Sequence, residues 1–401
     1  MLRGPDFIPY ALPDVGEEEI EAVARVMRSG WLTTGPETAA FEEEFASYMG
    51  GGVTALAVNS ATSGLHLALE ALGIGPGDEV IAPTLTFTAT VEVVRYLGAD
   101  AVLVDVDATT LNIAPHQFEA AITPRTKAVI VVHYGGLACD MDKVFAVAER
   151  HGLAVIEDAA HALPTTYRGR KVGTLASAAT VFSFYANKTM TTGEGGMIVT
   201  HDAQLIRRMK AMRLHGIDRD AFDRFKSKVP AWYYEVIAPG FKYNMTDVAA
   251  ATGRVQLRRL EQMAENRQRI ANNYMTALAD LPLRLPAPPP EGDLHARHIF
   301  PIRLEGQALE LGRDRFIEAL AEAGVGTSVH YVPLHRQPYW RDRYALEPQH
   351  FPAAEEAYAQ MISLPIYSGM TLSQVDRVTA AVSRVLTHST AGLVTSPSPR
   401  P

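Results

Sequence analysis

The sequence predicts an α/β fold: one large, mostly parallel sheet of seven strands, followed by a smaller α+β unit. Three observations carry this. Seven short apolar runs recur between residues 54 and 200, most of them rich in Val and Ile and without alternation. Strands buried on both faces read this way. Helix-like segments lie among the runs, the βαβ alternation of a parallel sheet. Near Thr246 the texture then changes to a charged helical stretch and a proline-rich connector.

The elements follow in order. Asp14 and Glu17 have the spacing of a capping box. Ile20, Val23, Ala24 and Met27 then share one helical face, and Phe41, Phe45 and Tyr48 share a face of the next helix. Strands are expected over 54–58, 79–82, 101–106, 128–132, 154–156, 180–184 and 197–199. A helix is expected from Thr246 to about Leu278. Leu281-Pro282-Leu283-Arg284-Leu285-Pro286-Ala287-Pro288-Pro289-Pro290 cannot be helical, because proline lacks the amide hydrogen and clashes with the preceding turn. Beyond it, strands are expected over 299–304 and 327–332. One helix carries Phe316, Ile317 and Leu320 and stops at Gly324; another carries Val375, Val378, Val382 and Val385. This divides the chain into a large domain over 1–245, a small α+β domain with its connecting helix over 246–387, and a disordered Ser/Thr/Pro-rich tail over 388–401.

A net charge of −8 does not favour nucleic acid or an anionic membrane as partner, since both reward a basic surface. The single cysteine, Cys139, allows no internal disulfide and no cysteine metal cluster, and it reads as a small buried residue rather than a nucleophile. The start Met1-Leu2-Arg3-Gly4-Pro5 opens no signal-peptide core, and no apolar run reaches the roughly 18 residues of a spanning helix. These features predict a soluble, cytoplasmic protein.

Four segments at strand ends carry candidate chemistry. Lys188 follows the strand ending near Phe184, in Ser183-Phe184-Tyr185-Ala186-Asn187-Lys188, ahead of Thr191-Thr192-Gly193-Glu194-Gly195-Gly196. Most lysines are solvated surface charges. One at the carboxyl end of a buried strand sits where open α/β sheets bind ligands, and there it can lose its proton and attack a carbonyl carbon. Glu157-Asp158 ends the strand before His161, and the two carboxylates should point to opposite faces. Asn59-Ser60-Ala61-Thr62-Ser63-Gly64 opens a helix after a strand, which suits a phosphate cradle and a plain helix cap about equally. Phe87, in Thr84-Leu85-Thr86-Phe87-Thr88, could stack on a flat ring or belong to the core. Together the four segments suit a phosphorylated aromatic cofactor such as pyridoxal phosphate (PLP), with Asp158 placed to keep its ring nitrogen protonated.

These motifs, from Ser29-Gly30-Trp31-Leu32-Thr33-Thr34-Gly35-Pro36 to Ile362-Ser363-Leu364-Pro365, resemble the DegT/DnrJ/EryC1/StrS sugar aminotransferase family over nearly the whole chain. The resemblance implies the aspartate-aminotransferase-like fold (PLP fold type I). It implies Lys188 as the Schiff-base lysine and proton shuttle, and Asp158 as partner of the pyridinium nitrogen. His161, where the family has Gln or His, would lie near the ring hydroxyl. Phe87 would stack on the ring, and Thr62, Ser63 and Ser183 would hold the phosphate. Asn244, in Gly240-Phe241-Lys242-Tyr243-Asn244-Met245-Thr246-Asp247, would reach the phosphate of a partner subunit in a homodimer with shared sites. Lysine rather than histidine at 188 argues against the branch that dehydrates sugars. Trp232-Tyr233-Tyr234-Glu235 and Ser328-Val329-His330-Tyr331-Val332-Pro333-Leu334-His335 look most like enzymes that transfer an amino group from glutamate to nucleotide-linked 4-keto sugars. Trp31, Thr33, His330, Tyr331 and His335 are then candidate substrate contacts.

Other readings of single motifs are weaker. His295-Ala296-Arg297-His298 has no companion carboxylate or cysteine in register, so a structural or substrate-contact role outweighs a metal site. Gly193 to Gly196 precedes a strand and opens no helix, so it is not a dinucleotide fingerprint. Three alternatives to the 4-keto reading remain: a 3-keto sugar aminotransferase, a non-catalytic PLP-binding regulator, and a dinucleotide-dependent sugar oxidoreductase.

Overall fold

The computed structural model describes residues 6–218 and 232–394, with side chains to 387. The expected start at residues 1–5 lies outside them. The elements of the large unit are α1 (Glu17–Ser29), α2 (Pro36–Met49), β1 (Thr54–Val58), α3 (Ala61–Ala71), β2 (Glu79–Pro83), α4 (Ala89–Tyr96), β3 (Asp100–Val104), α5 (Pro115–Ala120), β4 (Thr126–Val132), α6 (Met141–His151), β5 (Ala154–Asp158), a two-residue hairpin β6 and β7 (Thr166–Tyr167, Arg170–Lys171), β8 (Ala179–Ser183), β9 (Gly196–Thr200) and α7 (Ala203–Met212).

The seven expected strands form one sheet in the order β1-β9-β8-β5-β4-β2-β3. Only β9 runs antiparallel to its neighbours. The parallel strands β2, β4, β5 and β8 therefore end on one edge, where their following loops converge. Both faces are covered. Phe41, Phe45, Phe182 and Phe184 fill one core, and Val129, Val131, Met141 and Val144 another. Burial of these near-continuous apolar strands by flanking helices is what keeps the edge rigid.

The 31-residue helix α8 (Asp247–Ala277) joins the two units. Thr246 caps it, accepting from the Ala249 amide at 3.2 Å. Leu257, Leu260 and Met263 pack into the core with Phe41, while Ile270, Tyr274 and Leu278 pack into the small core with Phe300, Phe316 and Val378. The small sheet is β10 (Leu283–Arg284), β11 (Phe300–Leu304) and β12 (Met361–Leu364), in that order. The chain start also belongs to this core: Ile8 is buried in it and pairs with Val325.

Four local expectations need correction. Helix α1 is capped at Gly16, whose amide donates to Glu19 at 2.8 Å; Asp14 instead pairs with Arg259 at 2.5 Å. The Ile20–Met27 stripe faces outward, both residues being exposed, and α1 packs through Ala22 and Val26. Residues 327–332 form no strand; Ser328 makes a single bridge to Ser363, because the chain turns there into the site described below. The last helix runs Leu372–Val394, into the tail expected to be disordered from His388. No proline interrupts it before Pro397, so nothing in the chain chemistry stops it at 388. The rest of that tail lies outside the described residues. No helix among those described is long and apolar enough to cross a membrane.

Candidate active site

The converging strand ends enclose a pocket of about 460 Å³. Lys188, Asp158, Thr62, Phe87, His161, Ser183, His330 and Tyr331 all line it, on segments up to 269 residues apart in sequence (331 − 62). Lys188 is reached through the short turn after β8, where its amide donates to the Tyr185 carbonyl at 3.0 Å. Burial pulls its ammonium down to about 8, with Asp158 opposing the shift. Asp158 is the last residue of β5. Its Oδ2 accepts from the Thr90 hydroxyl at 2.7 Å and its Oδ1 from the Ala160 amide at 3.1 Å. Thr90 gives its hydrogen to Asp158, so Thr86, 2.8 Å away, must donate to Thr90. Burial raises the Asp158 carboxyl, while these donors and Lys188 pull against that rise.

Glu157 points through the opposite face, as strand alternation requires. It accepts from Thr180 at 2.8 Å and lies 2.8 Å from His133 Nε2. The pocket carboxylate and the structural carboxylate are thus neighbours in sequence but not in space.

Helix α3 begins at the pocket wall. Ser60 caps it, accepting from the Ser63 amide at 3.1 Å, and Ser63 Oγ donates to Asn59. The Ser63 hydroxyl is therefore committed to the cap and does not line the pocket. Ser60, Ala61 and Thr62 do. The Ala61 and Thr62 amides, in the first helical turn, have no intrahelical acceptor. The helix start sits tightly on β9: a Cβ at Gly196 would lie 2.8 Å from the Ala61 nitrogen. Only glycine admits this close approach.

The remaining lining includes the Glu194 carboxylate, the Asn187 amide and a set of aromatic and imidazole rings. Burial holds His161 and His298 well below the ordinary histidine range and His330 at about 4. The His161 and His298 rings lie 4.3 Å apart. Phe87, half-exposed, lies 5.9 Å from Tyr331.

Other expected residues lie elsewhere. Asn244 is outside the pocket lining; it bridges Val58 and donates to Thr34 at 2.7 Å. Trp31 donates to the Thr34 carbonyl at 3.2 Å, and Thr33 is exposed. Their loop is tied to α8 by Asp247, which accepts from the Gly35 and Thr38 amides at 2.7 and 3.0 Å. His335 is not a substrate contact of this pocket. It is fully buried, 2.8 Å from Thr84 Oγ1 on one side and 2.5 Å from Glu355 on the other. Thr86, Thr90 and Asn187 line the pocket without having been singled out as site residues, and of the His295–His298 segment, expected in a structural or substrate-contact role, His298 lines it. The i, i+4 spacing of Thr86 and Thr90 was the available signal for that pair. Among the described residues no group of three or more His, Cys, Asp or Glu could hold a metal ion.

The donor set fits PLP. A lysine close to neutrality can hold the aldehyde carbon, a buried carboxylate can face the ring nitrogen, and a helix start with free amides can take the phosphate. Fold and pocket together define a PLP-dependent aminotransferase of fold type I. The chain belongs to the DegT/DnrJ/EryC1/StrS aminotransferase family, whose model matches residues 13–383. It is 45% identical over 381 residues to the spore coat polysaccharide biosynthesis protein SpsC of Bacillus subtilis, covering 95% of this chain and 97% of that one. A Streptococcus pneumoniae protein assigned as a sugar aminotransferase, solved in its PMP form, matches with TM-score 0.89 and 33% identity over 95% of this chain and all of that one. PseC of Helicobacter pylori, an aminotransferase involved in the biosynthesis of pseudoaminic acid, matches with TM-score 0.87 and 29% identity over 95% of this chain and all of that one.

Proposed function

We propose that this sugar aminotransferase moves the amino group of glutamate to a nucleotide-linked 4-keto sugar, giving a 4-amino-4-deoxy nucleotide sugar and 2-oxoglutarate. The observation that carries the chemistry is that Lys188 and Asp158 face one pocket whose wall includes the start of α3. When bound, PLP supplies an aldehyde to receive the amino group and an electron-withdrawing ring.

The protein's own groups supply the rest. Lys188 Nζ takes the proton from the amine-bearing carbon of glutamate and returns one to the sugar carbon. Its lowered pKa leaves it partly neutral near pH 8, so it can do both. Asp158 keeps the ring nitrogen protonated, with Thr90 and the Ala160 amide fixing its carboxylate. Thr62 and Ser183 hold the phosphate, together with the first-turn amides of α3. Phe87 covers a ring face. Asn244, half-buried beside β1, completes the site of a second copy in a homodimer. The large unit ends near 245 and the small unit carries residues to 387.

The sugar reading draws support from the relatives, one in polysaccharide biosynthesis and one in pseudoaminic acid biosynthesis. Its test is a panel of nucleotide 4-keto and 3-keto sugars with glutamate, scored for amino sugar and 2-oxoglutarate. Amination at carbon 4 supports the reading. Turnover with 3-keto sugars alone would replace it with the carbon-3 alternative. PLP binding with no turnover on any sugar would favour the regulator.

A further inference from the structure

The hydrogens around His161 can be assigned from the heavy atoms. The Gly135 amide donates to His161 Nδ1 at 3.3 Å, so this nitrogen presents a lone pair. The ring hydrogen is therefore on Nε2. Nε2 lies 2.9 Å from the Tyr331 oxygen and must donate to it. The hydroxyl hydrogen of Tyr331 is then turned away from His161. It has no acceptor among the described residues, and Tyr331 lines the pocket with Lys188 and Asp158. Both nitrogens of His161 are used within the protein, whereas the resemblance places this residue near the ring hydroxyl of the cofactor.

We infer that Tyr331 is the hydrogen-bond donor which this pocket presents to an oxygen of its ligand, and that His161 is a positioning residue acting through Tyr331. The electrostatics agree with this assignment. Burial, Lys188 and His330 hold His161 well below the ordinary range, so it stays neutral and keeps one donor and one acceptor. Burial raises Tyr331, so the phenol keeps its hydrogen. The ligand chemistry is an oxygen acceptor, which two sources could offer: the phenolic oxygen of PLP or a keto or hydroxyl oxygen of the sugar. The inference rests on the proposed function only in needing a ligand in the pocket.

The experiment compares Tyr331→Phe, His161→Phe, His161→Gln and the Tyr331→Phe/His161→Phe double variant, each checked for folding by circular dichroism. One arm titrates PLP alone, reading affinity and the pH dependence of the visible absorption band. The other measures sugar KM and kcat separately. Loss of one hydrogen bond should weaken one arm by about tenfold in Tyr331→Phe, and the arm that moves identifies the oxygen. His161→Phe should match Tyr331→Phe, and the double variant should be no worse than either. His161→Gln should stay within a few-fold of the parent, because a primary amide can accept from Gly135 and donate to Tyr331. A Tyr331→Phe variant that matches the parent in both arms overturns the inference, as do single-variant effects that multiply in the double. The PLP arm reads out even if no keto sugar is turned over, so failure of the sugar reading stays distinguishable.

Discussion

Glu157 and Asp158 are consecutive carboxylates on one strand, 0% and 6% exposed. Their surroundings differ in one respect that decides what each can do. Glu157 has both oxygens engaged across three strands, by Thr180 on β8 and by His133 just beyond β4. His133 itself accepts from the Cys139 amide at 3.0 Å, which leaves its Nε2 hydrogen for Glu157. This face is closed and satisfied. Asp158 is also hydrogen-bonded, but it borders an open volume shared with a lysine. Burial alone does not mark a functional carboxylate. What marks it is burial beside space that a ligand can fill, with a group of opposite charge across that space.

Predictions that strain this contrast run from large effects to small. Lys188→Ala should lower turnover by at least ~10⁴, since both the covalent anchor and the proton carrier go; retained turnover in a coupled 2-oxoglutarate assay would remove the pocket from the mechanism. Asp158→Asn should lower turnover by roughly 10²–10⁴ with PLP still bound. The capture of PLP by the cofactor-free protein should speed up about tenfold per pH unit below a midpoint near 8 and level off above it. The sign follows from the neutral amine being the nucleophile: a pKa lowered from 10.5 to about 8 moves its appearance to lower pH. A midpoint near 10 in stopped-flow absorbance would show an unperturbed lysine. Glu157→Gln should cost about 1–3 kcal/mol of stability in a denaturant titration, because an amide has only one acceptor oxygen for the two donors His133 and Thr180, and should leave kcat within a few-fold. If Glu157→Gln harmed catalysis more than Asp158→Asn, the division between the two faces would be wrong.

Much of this was legible in the sequence, for physical reasons. Strands covered on both faces have to be apolar, so all seven appeared as apolar runs, most of them Val- and Ile-rich, within two or three residues of their ends. The ligand edge followed from the topology that such runs imply. Legibility ended where tertiary context decides. Helix periodicity found the stripe from Ile20 to Met27 but could not say that Ala22 and Val26 face the core. Residues 327–332 carry apolar and β-branched residues yet turn into the pocket as loop. The β12 segment was visible only as a motif, because four residues are too few for a period. His335 shares a motif with His330 and Tyr331, but it is turned away from them to Thr84 and Glu355. Which histidine faces a ligand depends on packing between distant segments, and local spacing does not encode it.

The central claim is that the covalent chemistry belongs to Lys188. Reducing the PLP-loaded protein with borohydride and mapping the modified peptide by mass spectrometry tests it most directly. The account predicts one stable adduct, on Lys188. An adduct on another lysine, or none in protein that retains bound PLP, would contradict it.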